Sequence, residues 1–78
     1  MNRLGIASLT QFNMKAEAQA VDDYTAMINE VMACEDLEET EKQEIIAQID
    51  ELVADELNHQ QVLQELYVYI TNIEPNKN

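Results

Sequence analysis

Residues 35–43 read EDLEETEKQ, and this short acidic stretch decides the fold. Its first part, residues 35–40, is too charged and too brief to be anything but a connection between two longer elements. Within it, Thr40 followed three residues later by Gln43 forms a capping-box pattern, with Glu41 placed to interact with a helix N-terminus. Downstream, Ile45, Ile46, Ile49, Leu52, Val53, Leu63, Leu66, Tyr67, Ile70 and Ile73 recur at helical spacing. Pro75 is expected to end that run, because the residue before a proline avoids the helical region. Upstream, Phe12, Met14, Ala20, Val21, Tyr24, Met27, Ile28 and Val31 make a second apolar stripe that stops near Cys34. Ser8 with Gln11 is the capping-box pattern that places its start.

The rest of the composition agrees. The one glycine and the one proline stand at positions 5 and 75, leaving everything between free of the usual breakers. Alanine, glutamate, glutamine and leucine dominate, and β-branched residues follow no strand pattern. The expected architecture is all-α, an antiparallel hairpin over residues 9–74 with helices at about 9–34 and 41–73. Residues 1–8 form a separate N-terminal segment and 75–78 a C-terminal tail. Two helices in 78 residues make a marginal core, and oligomerisation is the usual remedy. A homodimer pairing two hairpins into a four-helix bundle is therefore expected, with a larger ring as an extension.

Charge narrows the partners. Sixteen Asp and Glu against four Lys and Arg give a net charge of −12. Nucleic acid and anionic membrane surfaces both require a basic face, so neither is expected as a partner. With 46% apolar residues the chain is also too hydrophobic for a disordered acidic tail. The single cysteine excludes an intrachain disulfide and suits a reducing compartment. No apolar run reaches a membrane span, and the N-terminus lacks the apolar core of a signal peptide. The expected location is the cytoplasm.

Three ionisable residues interrupt the stripes. Positions 14, 17, 21, 24, 28 and 31 share one face, and position 17 is Glu17. Positions 49, 52, 56, 59, 63, 66 and 70 share another, and include Glu56 and His59. A turn centred near residues 36 and 37 makes residue n level with roughly 73 − n, so Glu17 stands opposite Glu56. His59 follows one turn later on the same face. A carboxylate in an apolar seam needs a partner or a metal. Two-fold symmetry would bring four Glu and two His around one cavity. Such an oxygen-rich set with one imidazole per metal suits Fe(II) or Mn(II) better than structural zinc.

Here the chain resembles the ferritin-like superfamily, specifically its half-length members such as encapsulated ferritins, with rubrerythrin-like proteins also similar. The resemblance rests on Glu17 with Tyr24, and on Asp55-Glu56-Leu57-Asn58-His59, and covers residues 12 to 70. It implies a di-iron carboxylate site at a homodimer interface, two irons per dimer, that oxidises Fe(II) with O₂ or peroxide. Glu17, Glu56 and His59 would be both metal ligands and catalytic residues. Tyr24 would donate its hydroxyl to a ligand carboxylate, and Asp55 would accept the second N–H of His59. A full-length ferritin carries two such hairpins and this chain has one. No rubredoxin-like cysteine pair is present for electron delivery.

Leu4-Gly5-Ile6-Ala7-Ser8-Leu9 is similar to the peptides that dock cargo inside encapsulin shells, although those are usually C-terminal. It implies a shell partner and residence in an encapsulin compartment.

Other readings stay open. The same ligands serve rubrerythrin-like peroxide reduction or a manganese site. An acidic, metal-free helical adaptor would explain the hairpin but not three ionisable groups at one height. Cys34 reads as an inert small residue, and Met14, Met27 and Met32 as core fillers. Asp22, Asp23, Asp50 and Glu51 read as a solvated charged face.

Overall fold

The computed structural model describes residues 2–73. It is a hairpin of two long helices, α1 (Arg3–Ala33) and α2 (Glu39–Thr71), and no strand occurs among the described residues. The expected all-α hairpin is therefore observed, with the turn over residues 34–38.

Both helices begin earlier than their apolar stripes suggested. α1 starts at Arg3 rather than near Ser8, because Asn2 supplies the cap: its side-chain oxygen accepts the Gly5 N–H at 2.9 Å. Gly5 in a first turn costs only about 1 kcal/mol relative to alanine. Burial of Ala7 and Thr10 against α2 rewards the extension. Ser8 is an exposed residue inside the helix and caps nothing. Residues 4–9 are thus the first turns of the hairpin and not a segment outside it.

In α2 the cap is Glu38, whose N–H donates to the Glu41 carboxylate at 2.9 Å, and Thr40 already lies within the helix. Glu39 and Glu41 stand in the first turn, where the helix dipole favours them. α2 closes at Thr71, with the Asn72 side chain donating to the Val68 carbonyl at 2.7 Å. Pro75 and the tail 75–78 lie outside the described residues. The two caps of α1 can be told apart by mutation. Asn2→Ala should destabilise the hairpin by about 1 kcal/mol, whereas Ser8→Ala should change its urea midpoint by almost nothing.

The seam between the helices runs with alternating steps of three and four, the spacing of an antiparallel coiled coil. On α1 it uses positions 7, 10, 14, 17, 21, 24, 28 and 31, and on α2 positions 42, 46, 49, 53, 56, 60, 63, 67 and 70, all buried or half-buried. This corrects the expected face of α2: Val53, Gln60 and Tyr67 enter the seam, and Leu52, His59 and Leu66 stand beside it, exposed. A period of 3.6 residues leaves two adjacent lanes apolar, and close packing between helices admits only one of them. Phe12, expected in the α1 stripe, is 68% exposed.

The clasps at the two ends define the register. Lys42 donates to the Met32 carbonyl at 3.0 Å near the turn, and the Arg3 guanidinium donates to the Ile73 carbonyl at the open end. The level expected from the turn is right to within one helical turn.

The molecule is a rod of 66 × 14 × 13 Å with a radius of gyration of 18.2 Å. A compact chain of this length would have a radius near 11–12 Å. Its buried apolar core among the described residues is Ala7, Ile49 and Ile70. The rejected lane makes a second apolar face along the rod. It comprises Ile6, Ala20 and Met27 on α1, Ile45, Leu52 and Leu66 on α2, and Ile73 just past the end of α2, interrupted by Asn13 and His59. No helix among the described residues is long and apolar enough to cross a membrane.

Candidate metal centre

Glu17 and Glu56 occupy seam positions near the middle of their helices, so each side chain leaves its backbone toward the opposite helix. Both are half-buried, with side chains 25% and 19% exposed. His59 stands three residues beyond Glu56, in the lane beside the seam, and its side chain is 56% exposed. Its Nδ1 turns inward, 3.6 Å from a Glu17 oxygen and 3.8 Å from a Glu56 oxygen. One donor atom from each of the three residues lies within 4.8 Å of the others. The convergence expected from height alone is thus present in a single chain.

Those distances exceed a good hydrogen bond, yet they fit two donors on either side of a common ion. First-row divalent metals hold nitrogen and oxygen at about 2.0–2.2 Å, which sets such donors roughly 3–4 Å apart. Among the described residues neither carboxylate has a lysine or arginine within 4.0 Å. At an effective dielectric constant near 20, two carboxylates less than 5 Å apart repel by on the order of 3 kcal/mol. A divalent cation between them converts that repulsion into attraction. The donor set, two carboxylates and one imidazole per chain, fits Fe(II) or Mn(II) and lacks the thiolates of a structural zinc site.

The cluster opens on a shallow depression of about 260 Å³ lined by Asn13, Glu17, His59, Val62 and Leu63. This depression lies on the exposed apolar face. A larger groove along the other flank, lined by Met14, Lys15, Ala18 and three glutamines, gathers no comparable acid and imidazole set. Asn13 was not singled out by the sequence reading. It sits one turn before Glu17 in the otherwise apolar lane of α1, and that interruption was the signal available. Its amide nitrogen donates to the Leu9 carbonyl at 2.8 Å, which holds the side chain along the helix.

Tyr24 and Asp55 are not brought to the cluster within one chain. Tyr24 lies half-buried in the seam two turns beyond Glu17, and its hydroxyl makes no hydrogen bond among the described residues. Asp55 is exposed on the outer side of α2 and forms no hydrogen bond with His59. Cys34 is half-buried beside the turn, far along the rod from the site.

Compared with protein-family models, with curated proteins and with solved structures, the chain matches none. The ferritin-like resemblance therefore stands on the residues quoted above.

Proposed function

We propose that the chain works as a homodimer whose apolar faces meet, enclosing a carboxylate site that binds Fe(II) and promotes its oxidation by O₂ or peroxide. The observation that carries this reading is the meeting of Glu17, Glu56 and His59, without a basic partner, in the middle of a rod whose adjoining face is apolar and uncovered. A hairpin leaving Leu52, Leu66 and Ile73 in water gains stability by covering them, and covering them also closes the depression over the site.

In such a dimer each chain supplies two carboxylates and one imidazole, so four Glu and two His surround two irons. Fe(II) is the substrate: each ion gives up one electron, and a pair reduces O₂ to peroxide or peroxide to water. The protein's part is to hold two cations close together against their mutual repulsion, which four carboxylates make feasible. His59 is a neutral donor and limits the negative charge of the set. The apolar lane keeps bulk water from the ions, strengthening the interaction of the carboxylates with them. Tyr24 and Asp55 would act across the dimer or on the outer edge of the imidazole, as the resemblance implies. A manganese site or peroxide reduction in the rubrerythrin manner would use the same ligands. Iron handling by the dimer needs no shell partner. Docking through Leu4–Leu9 would require the first turns of α1 to leave the seam and uncover Ala7 and Thr10.

The test is an anaerobic Fe(II) titration of metal-stripped protein, followed by admission of air. A break at one iron per chain and a ferric absorbance band on oxidation are expected. Binding no stronger than that of scattered surface carboxylates would sink the proposal and leave an acidic helical adaptor.

A further inference from the structure

When His59 gives its inward nitrogen to a cation, its other nitrogen must carry the ring proton, and that proton needs an acceptor. The inward atom is Nδ1, 3.6 Å from a Glu17 oxygen and 3.8 Å from a Glu56 oxygen. A ligand nitrogen offers a lone pair, so the neutral ring is then protonated on Nε2. Metal-bound imidazoles almost always donate that N–H to a carboxylate, a carbonyl or water, which fixes both ring and tautomer. Asp55, to which the resemblance gives this role, is exposed on the outer side of α2 and makes no hydrogen bond with His59 among the described residues.

The other helix supplies an acceptor. Asn13 lines the same depression as His59. With residue n level with roughly 73 − n, His59 stands opposite residue 14, next to Asn13 in the chain. These two side chains are also the polar interruptions of one apolar face. The Asn13 amide is already oriented. A carbonyl can only accept, so the 2.8 Å contact with the Leu9 carbonyl is made by Nδ2. That leaves Oδ1 as the free end, an acceptor with no hydrogen bond among the described residues. Asparagine is otherwise a costly choice at this position. It is a poorer helix former than leucine, and covering the apolar face strands its oxygen unless a donor is found. The Nε2–H of His59 faces the same cost.

We infer that Asn13 is a positioning residue for His59: its Oδ1 accepts the Nε2–H of the imidazole from across the hairpin and holds Nδ1 toward Glu17 and Glu56. The inference rests on His59 being a metal ligand, as proposed above, and moves the role implied for Asp55 to the opposite helix. No hydrogen bond joins Asn13 and His59 among the described residues; the two carboxylates facing Nδ1 draw the imidazole proton to that side. A cation bound there displaces the proton to Nε2, and the bond to Asn13 forms then. The pairing explains how a ring 56% exposed, on the flank of the seam, can serve as a fixed ligand. Rotation of the side chain would swing Nδ1 into water, and a hydrogen bond at the far nitrogen opposes it. The Leu9 carbonyl in turn holds Asn13.

The probe is Zn(II), which takes the same nitrogen and oxygen donors, binds such sites more tightly than Fe(II) and is diamagnetic. It is added to the metal-stripped full chain labelled with 15N-histidine, in which His59 is the only histidine and a single imidazole reports. Two quantities are read: the Zn(II) dissociation constant, and the exchange of the Nε2 proton with water at saturating Zn(II). In the parent chain Nδ1 should be the metallated nitrogen and the Nε2 proton should be protected. Asn13→Leu, which favours the helix and keeps the fold, should weaken binding 10–100-fold and lose that protection. Asn13→Asp keeps an acceptor oxygen at the same place and should restore both readouts, and Asp55→Ala should change neither. The inference is overturned if Asn13→Leu leaves either readout at the parent's value, if Asn13→Asp fails to restore them, or if Asp55→Ala abolishes the protection. A parent chain that binds no Zn(II) stoichiometrically removes the proposed site and this inference together. A parent that binds it while Asn13→Leu binds equally well removes the inference alone.

Discussion

Replacing Glu56 with leucine should abolish stoichiometric iron binding while raising the melting temperature of the metal-free protein. Glu56 is a seam residue, with Val53, Gln60 and Leu63 as its neighbours along α2, and its side chain is 19% exposed. In the absence of metal it faces the Glu17 carboxylate with no lysine or arginine within 4.0 Å. Within 4.8 Å of each other, the two carboxylates repel by on the order of 3 kcal/mol at an effective dielectric constant near 20, and exchanging one of them for an apolar group of similar size relieves that repulsion. Because the group keeps some contact with water, a gain of about 1 kcal/mol is expected. For a chain of this size that corresponds to a rise of roughly 4–8 °C.

Iron binding should move the other way. Loss of a neighbour that merely orients a ligand costs 10–100-fold in metal affinity, so loss of a ligand should exceed about 100-fold. His59→Ala should also remove the break in the titration. It should alter metal-free melting little, since its ring is 56% exposed. The measurements are circular dichroism melts at fixed protein concentration in chelator, paired with the anaerobic titration. A Glu56→Leu protein that melted lower and still bound iron would mark Glu56 as a structural residue and end its assignment as a ligand.

The second large effect concerns assembly. Leu66 is exposed in a single hairpin, so Leu66→Asp should scarcely affect the fold of one chain. In a dimer joined through the lane, the symmetry buries two unpaired carboxylates at once, each costing several kcal/mol. The dimer dissociation constant should therefore rise by at least about 1,000-fold, the equivalent of roughly 4 kcal/mol. Sedimentation equilibrium should show dimer for the parent chain and monomer for Leu66→Asp, together with loss of stoichiometric iron binding. Val68→Asp is the control, because Val68 is equally exposed but lies on the outward side of α2. A Leu66→Asp chain that stays dimeric would show that copies meet elsewhere.

The candidate site could be read from the sequence to an unusual degree because it depends on few variables. A Gly- and Pro-free stretch of alternating three and four spacing makes two helices, and a short acidic connection makes them antiparallel neighbours. Once the turn is located, height follows from a rise of 1.5 Å per residue. An error of one or two residues in that level still leaves Glu17, Glu56 and His59 within reach, because long acidic side chains span such a gap. Helix starts were less legible. Ser8 and Thr40 carry good capping chemistry, yet Asn2 and Glu38 carry it too and come earlier in the chain. The choice between them depends on whether Ala7 and Thr10 find α2 to pack against, which no local pattern records.

The lane adjoining the seam illustrates the same division. Leu52, His59 and Leu66 are as apolar and as regularly spaced as Val53, Gln60 and Tyr67, and Gln60 is if anything the poorer candidate for a seam. Sequence periodicity locates an apolar sector about 100° wide but does not say which edge meets the other helix of the hairpin. Contact between two helices admits only one row of side chains into the grooves of the other, so packing had to choose. By itself the sequence determined that the chain is helical, that it folds back once, and that two carboxylates and an imidazole stand at one height. The tertiary structure decided that Glu17 and Glu56 lie inside the seam while His59 reaches in from its flank, leaving Leu52, Leu66 and Ile73 in water beside it. The reason is physical: helix formation and height follow from local spacing, whereas the face a helix buries is settled only against the surface it meets.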